Sequence, residues 1–285
     1  MRPLVKMKKI TIFYNPNKSE APTTAKALAQ ALTAQGVKVN ITPTQLTNAN
    51  WGDLYSDTDL AVVMGGDGTF LRASKQVLSY DIPLLGINFG HLGFLAEYGD
   101  LAVEEIAAAI LAHDLIIQDR TVLKAELPSL SKIFYALNDV VIIRQPSANL
   151  LYTDLYIDND LLHSFRSDGI VVATPTGSTA YALSAGGAVM DPNIRAFEIV
   201  PVAAHSLGSR AHVISDEQVI VLETRDNKNN FYLQADGQEL VELVPGTAIV
   251  LSKAEYSLKL AKFKRSYRSF YSILRDKMKW GSIHN

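Results

Sequence analysis

The sequence predicts an α/β N-terminal domain of the doubly wound kind, joined to a β-rich, β-sandwich-like C-terminal domain. Three observations carry that prediction. Strand-like apolar runs alternate with helix-period segments up to about residue 115. From about 118 onward, strand-like segments follow one another. The closing stretch SYRSFYSILRDKMKW returns to helical spacing. β/α alternation argues for a parallel sheet covered by helices, and a succession of strands argues for a second, mostly β domain. The boundaries read from these changes are 1–117 with 264–285 for the α/β domain and 118–263 for the β-rich one.

ITIFYN (10–15) is the first strand, ending at the turn signal Asn15-Pro16-Asn17. APTTAKALAQALTAQG is a helix closed by Gly36. VKVNIT alternates as a strand does, and DLAVVMGG is a continuous apolar run of the kind buried on both faces of a parallel sheet. Phe70, Ala73, Ser74, Val77 and Leu78 then fall on one helix face. IPLLGIN is another buried strand and LAVEEIAAAILAHD another helix. Beyond 118 the strand-like segments are TVLKAEL, IFYALNDVVIIR, LLYTDLYID, GIVVAT, VISDEQVIVLET, NFYLQADG, TAIVLSKA and SLKLAKF, with one short helix at 178–185. Asp158-Asn159 and Asp236-Gly237 are hairpin turns. In the tail, Phe263, Tyr267, Phe270, Tyr271 and Leu274 share a predicted face, which favours a docking helix with a solvated basic face over a nucleic-acid-binding one.

The 285 residues are 48% hydrophobic and 20% charged, with a net charge of -2, so nothing calls for nucleic acid or an anionic membrane. There is no cysteine, which excludes disulfides, thiolate catalysis and cysteine-based zinc sites. The basic N-terminus has too short an apolar run for a signal peptide, and no stretch approaches the roughly 20 apolar residues that span a bilayer. The expectation is a soluble, cytoplasmic protein.

Two segments concentrate the groups that bind phosphates and sugars. In VVMGGDGTFLRA, Gly65, Gly66 and Gly68 let a ligand approach the backbone, and helix onset just after them offers free N–H groups to a phosphate. Thr69 adds a hydroxyl and Arg72 a cation. The loop is neither a Walker A motif nor a G-x-G-x-x-G fingerprint. Asp67 is either a helix cap or an acceptor for the proton of a hydroxyl attacking the phosphate. In SDGIVVATPTGSTAYALSAGG, hydroxyl residues and free amides converge in a way that suits ribose and phosphate, while Ser178 is also a candidate N-cap. G-x-S-x-G is not satisfied, so this is no nucleophile elbow. Asn138-Asp139 interrupts an apolar run, either as a bulge or to bind the vicinal hydroxyls of a ribose, and Arg166 and Asp168 form a similar pair. The six histidines show no metal-binding spacing, which leaves Mg²⁺ arriving with a nucleotide as the expected metal.

Together, GGDGTFLRA, GINFGHLGFL and DGIVVATPTGSTAYALSAGG resemble the NAD kinase family. LND matches that family's Asn-Glu/Asp motif, with Asp139 the shorter option, and DGQ (236–238) and SFYSILRDKMKWG are similar as well. The resemblance runs from about residue 8 to 281. Diacylglycerol kinases, sphingosine kinases and phosphofructokinases carry similar glycine loops, and the Thr-Pro-Thr-Gly-Ser-Thr-Ala-Tyr run sets this chain apart from them. The resemblance implies phosphoryl transfer from ATP or polyphosphate, with Mg²⁺, to the 2′-hydroxyl of the adenosine ribose of NAD. It implies a final helix packing back on the N-terminal domain, NAD lying between domains and partly across subunits, and a homo-oligomer, often a tetramer. Carried over by position, Asp67 is the base, and Gly65, Gly66, Gly68 and Thr69 hold phosphates with Arg72. Asn138 and Asp139 bind a ribose. Thr179, Ala180, Tyr181 and Ser184 line the dinucleotide site, and Arg166, Asp168, Ala203 and Gln238 are further contacts. The alternatives are a kinase of a lipid or sugar hydroxyl with the same glycine loop and a noncatalytic sensor of NAD(P).

Overall fold

A computed structural model describes residues 7–44, 55–89, 93–96, 101–146, 149–205, 208–225 and 230–279. The chain forms two compact units, Met1–Asp119 with Leu258–Asn285 and Arg120–Ser257.

The first unit opens with β1 (Lys9–Tyr14), α1 (Ala21–Ala34), β2 (Lys38–Pro43), β3 (Leu60–Met64), α2 (Asp67–Val77), β4 (Leu84–Ile87) and α3 (Val103–Leu111). Its strands are parallel in the order β2-β1-β3-β4, and Leu260 and Ala261 of the last strand of the chain pair in parallel beside β4. β3 and β4 are buried at every position, as their unbroken apolar sequences require. Ile10 and Ile12 pack with Leu28 and Leu32 of α1 and Ile106 and Ile110 of α3. Thr11 and Phe13 alternate to the other face, where Phe13 meets Tyr55 and the Tyr55 hydroxyl donates to Gln76 of α2. Helices therefore cover both faces. Gly36, at φ 82°, takes the left-handed conformation that ends α1.

The second unit contains β5 (Leu115–Leu127, entering from the first), β6 (Lys132–Ala136), β7 (Asp139–Arg144), β8 (Leu151–Ile157), β9 (Asp160–Ser167), β10 (Gly169–Ala173) and α4 (Tyr181–Ser184). β11 (Ala196–Val202), β12 (His212–Ser215), β13 (Ile220–Arg225), β14 (Phe231–Ala235), β15 (Glu239–Leu243) and β16 (Ala248–Phe263) follow. One antiparallel sheet runs β12-β11-β10-β7-β14-β15. The other includes the run β16-β13-β8-β9. Between them, Leu155, Phe165, Leu222 and Leu251 from one sheet meet Ile142, Val172, Phe197 and Leu233 from the other, forming the core of a β-sandwich. Asp158 and Asn159 (φ 50° and 75°) and Asp236 and Gly237 (φ 53° and 65°) make the left-handed turns that their sequences predict.

Several segments depart from the sequence reading. IFYALNDVVIIR is not one strand: it breaks at Leu137–Asn138, and β6 and β7 belong to different sheets. VISDEQVIVLET likewise divides into β12 and β13. TAIVLSKA and SLKLAKF are one 16-residue strand, β16. Phe263 ends that strand, and the final helix α5 begins only at Phe270 and runs to Met278. The predicted shared face therefore fails: α5 buries Ile273 and Leu274, while Tyr267 and Tyr271 are exposed. α5 does pack within the first unit, with Phe270 stacked 5.9 Å from Phe94 and Lys277 lying 4.8 Å over the Phe94 ring. Among the described residues no helix is long and apolar enough to cross a membrane.

Candidate functional site

The order β2-β1-β3-β4 reverses direction between β1 and β3, and the loops leaving these two strands frame the crevice where doubly wound sheets bind ligands. Asn15 and the glycine loop sit there. The Asn15 backbone N–H donates to the Met64 carbonyl, and its side-chain amide donates to the Thr69 hydroxyl at 3.2 Å. A Cβ on Gly65 would lie 2.6 Å from that hydroxyl, so the turn closes only around glycine. Thr69 faces inward: it is buried, and its hydroxyl holds the loop to β1. Gly68 is exposed at the helix start, and the half-buried Arg72 has a buried Nε without a hydrogen-bond partner.

Asp67 is the first residue of α2. Its Oδ2 accepts the Phe94 N–H at 3.0 Å, and its Oδ1 accepts those of Leu95 and Ala96, both at 3.1 Å. A Cβ on Gly93 would overlap the carboxylate, which explains the glycine there. α5 braces the same turn through Phe94. A carboxylate offers about four lone-pair positions, so three donors leave one, on Oδ2. Asp67 is thus both a clamp and an acceptor with capacity left. Gly90, His91 and Leu92 of GINFGHLGFL lie outside the described residues.

In the second unit three of the quoted motifs interlock at one end of the six-stranded sheet. The Asp236 carboxylate accepts the backbone N–H groups of Leu137, Asn138 and Asp139 at 3.0, 2.8 and 3.4 Å. Thr174 donates its backbone N–H to the Asn138 carbonyl and its hydroxyl to that of Leu137. Gly177 lies so close to the Asn138 carbonyl that any Cβ would overlap it. The polar pair that breaks the apolar pattern is thus the corner at which the chain changes sheets. Asp139 is buried and accepts the Tyr181 backbone N–H. Burial, and then the neighbouring Asp236 charge, push its carboxyl up to about 7, with the Tyr181 bond pulling the other way.

The hydroxyl run divides by burial. Thr174 and Ser178 are fully buried and bonded inward, Ser178 to the Pro175 carbonyl and the Met190 N–H. Thr179 and Ala180 are half-buried, and Tyr181 and Ser184 are exposed. Gln238 closes the Asp236-Gly237 turn with a backbone bond to Ala235. These residues gather around the Asn138 corner. Arg166, Asp168 and Ala203 do not: they flank the start of β10, about five residues or 16 Å of strand away. There Asp168 pairs with Arg144 at 2.6 Å, and Arg166 instead lies 4.7 Å over the Tyr152 ring. A cavity of about 500 Å³ lies between Ala185 and Gly186, just after α4, and Ala203, Ala204 and Arg210 farther along. Sequence reasoning missed Asp236 as the clamp and Arg144 as the partner of Asp168. DGQ was the available signal for the first, and nothing local announces the second. No cluster of three or more metal-ligating side chains occurs among the described residues.

Comparison with known proteins is consistent over both units. Residues 52–115 match the model of the ATP-NAD kinase N-terminal domain, and residues 137–263 that of the ATP-NAD kinase C-terminal domain. NAD kinase of Symbiobacterium thermophilum is 34% identical over 95% of this chain and 99% of its own. NAD kinase of Carboxydothermus hydrogenoformans is 39% identical over 78% of this chain and 79% of its own. Among solved structures, an NAD kinase from Archaeoglobus fulgidus in complex with ATP superposes with a TM-score of 0.76 at 26% identity, covering 94% of this chain and 98% of that one. Yeast NADH kinase complexed with NADH shares the fold, with a TM-score of 0.86 at 22% identity over 99% of this chain and 90% of that one. With both domain models matched and curated relatives aligned nearly end to end, the chain belongs to the NAD kinase family.

Proposed function

We propose that the protein transfers a phosphoryl group from ATP or inorganic polyphosphate to the 2′-hydroxyl of the adenosine ribose of NAD, giving NADP. The observation that carries this reading is the pairing of two sites in one chain. One is a glycine loop at a switch point that presents a carboxylate and a helix start. The other is a hydroxyl- and amide-lined corner built on Asn138, Asp139 and Tyr181. The donor's phosphates lie against the glycine loop at Gly66 and Gly68, where the helix starts, with Arg72 beside them; the Thr69 N–H is given to the Gly66 carbonyl. Gly65 shapes that turn. Asn138 and Asp139 hold the ribose. Ala180, Tyr181, Ser184 and Gln238 line the dinucleotide, and the cavity toward Ala203, Asp168 and Arg166 takes its far half.

In the transfer, the 2′-oxygen bonds to the terminal phosphorus of the donor, the bridging P–O bond breaks, and ADP or a shortened polyphosphate leaves. The hydroxyl proton passes to the remaining lone pair of Asp67 Oδ2. Positioning and charge neutralisation supply most of the rate, as in other phosphoryl transfers. Mg²⁺ accompanies the donor and screens its phosphate charge. The working form is a homo-oligomer, a dimer or tetramer, in the cytoplasm.

The test is NADP formation from NAD with ATP and with polyphosphate, each with Mg²⁺, by the wild-type chain and Asp67→Asn. Product from the wild type and little from the variant supports the reaction and the base together. NAD binding without product from either donor refutes the kinase reading.

A further inference from the structure

One buried acid outside this machinery faces it. Glu198, on β11, is completely buried. Its Oε1 accepts the Ala188 N–H at 2.5 Å, and its Oε2, also buried, has no hydrogen-bond partner. The carboxyl lies flat against Gly187, where a Cβ would come within 2.8 Å of both oxygens.

The sheet register shows what this acid faces. Ala173 pairs with Asp139 on one side and Glu198 on the other. Directly paired residues of an antiparallel ladder point to the same face, so the two carboxyls share a row, two strands or about 10 Å apart. That face is the one covered by α4, whose Ala182 packs on Val171, Ala173 and Val200. Asp139 accepts the N–H of Tyr181, the first residue of α4. Glu198 accepts the N–H of Ala188, just past the turn in which Gly187 bonds back to the Ala182 carbonyl. A helix of four residues has too few internal bonds to hold its own position. Asp139 holds its first residue, and Glu198 holds the chain at Ala188, four residues past its last.

We propose that Glu198 is a positioning residue for the dinucleotide: through the Gly187–Ala188 turn it fixes α4, and with it Tyr181 and Ser184, against the bound NAD. Burial pushes its carboxyl up, with the Ala188 N–H pulling the other way. Ala173 and Val213 lie beside it across the sheet, and Ala182, Gly187 and Ala188 lie above. Asp139, with Asp236 behind it, is the titratable group in its row, and Arg210 lines the cavity beyond Val200.

This inference rests on the proposed NAD-binding role of α4, so the experiment separates the two. Steady-state kinetics are measured for wild type, Glu198→Gln, Glu198→Ala and Glu198→Leu, varying NAD and ATP in turn. Glu198→Gln keeps the acceptor for Ala188 and is expected to leave KM for NAD within about twofold. Glu198→Ala and Glu198→Leu lose it and are expected to raise KM for NAD about tenfold, with kcat and KM for ATP within about twofold. Glu198→Leu fills the same volume, so it reports even if the alanine variant does not fold. An unchanged KM for NAD in Glu198→Leu overturns the proposal, as does an equal loss in Glu198→Gln and Glu198→Leu. A wild-type chain that binds no NAD overturns the underlying reading instead.

Discussion

Asp67 in the α/β unit and Asp236 in the β-rich unit each accept three consecutive backbone N–H groups, those of 94–96 and of 137–139. In both, Oδ1 takes two donors and Oδ2 one. Their surroundings differ. Asp67 is half-buried at the start of a helix, in a loop kept open by glycines. Asp236 is buried, with a second carboxyl, Asp139, beside it. The same clamp thus leaves one aspartate half-exposed with a lone pair to spare, and makes the other a device that acts on its neighbour. A carboxylate's local bonding does not reveal its role; the group next to it does.

The largest effect that would sharpen this comparison is on turnover. Asp67→Asn is expected to lower NADP formation by about 10²-fold or more while NAD binding is retained. If binding falls as far as turnover, Asp67 is a clamp of the Asp236 kind and the base assignment goes. Asp236→Ala strands three buried N–H groups and should cost about 2–3 kcal/mol of stability, read from the urea midpoint. A cost below about 0.5 kcal/mol would break the parallel from the other side.

Asp139→Asn tests the neighbour. The folded chain holds the Asp139 proton up to about pH 7, whereas the unfolded chain releases it near pH 4. The contribution of Asp139 to wild-type stability is therefore greatest below about pH 4, declines as pH rises toward 7, and then levels. Asp139→Asn removes that decline, so above pH 7 it should gain about 4 kcal/mol relative to its difference from wild type at pH 4. Thermal midpoints across that range check it, and an unchanged slope would show that Asp139 does not carry the proton. The smallest effect belongs to Thr69→Val. Losing the Asn15 bond should cost about 1 kcal/mol of stability and leave KM for ATP within about twofold. A larger rise would return the Thr69 hydroxyl to the phosphate.

The two units also differed in how much their sequences disclosed. Strand, glycine loop and helix from 60 to 77 could be read directly, because burial on both faces gives unbroken apolar runs and the helix carries its own period. The β-rich unit hid its strand breaks. β6 and β7 join at Leu137–Asn138 without a glycine or proline, so the corner is visible only once Asp236 and Thr174 are seen to hold it. β11 went unread because Glu198 and Pro201 interrupt its apolar run. The glutamate is tolerated through the bond from Ala188, a contact ten residues distant along the chain. β15 was missed as well, its exposed Leu240 giving no clean alternation. Around the site, the residues at the Asn138 corner were legible as motifs. The Arg144–Asp168 pair was not, because its partners lie 24 residues apart.

The discontinuity of the first unit has a consequence for synthesis. Four of its parallel strands emerge from the ribosome early, but the end of β16 that pairs beside β4 is made only after the whole 120–257 unit has been translated. Until Leu260 and Ala261 appear, Leu84 and Leu85 form an open apolar edge on a nascent sheet, a surface that invites wrong pairing. The central unit is therefore free to fold first, and the N-terminal unit is completed last. Ribosome-stalled chains whose own sequence ends at residue 257, followed by a linker long enough to fill the exit tunnel, should show a protease-resistant 120–257 segment while 7–119 is still cleaved, and chains carried through residue 279 before the linker should protect both.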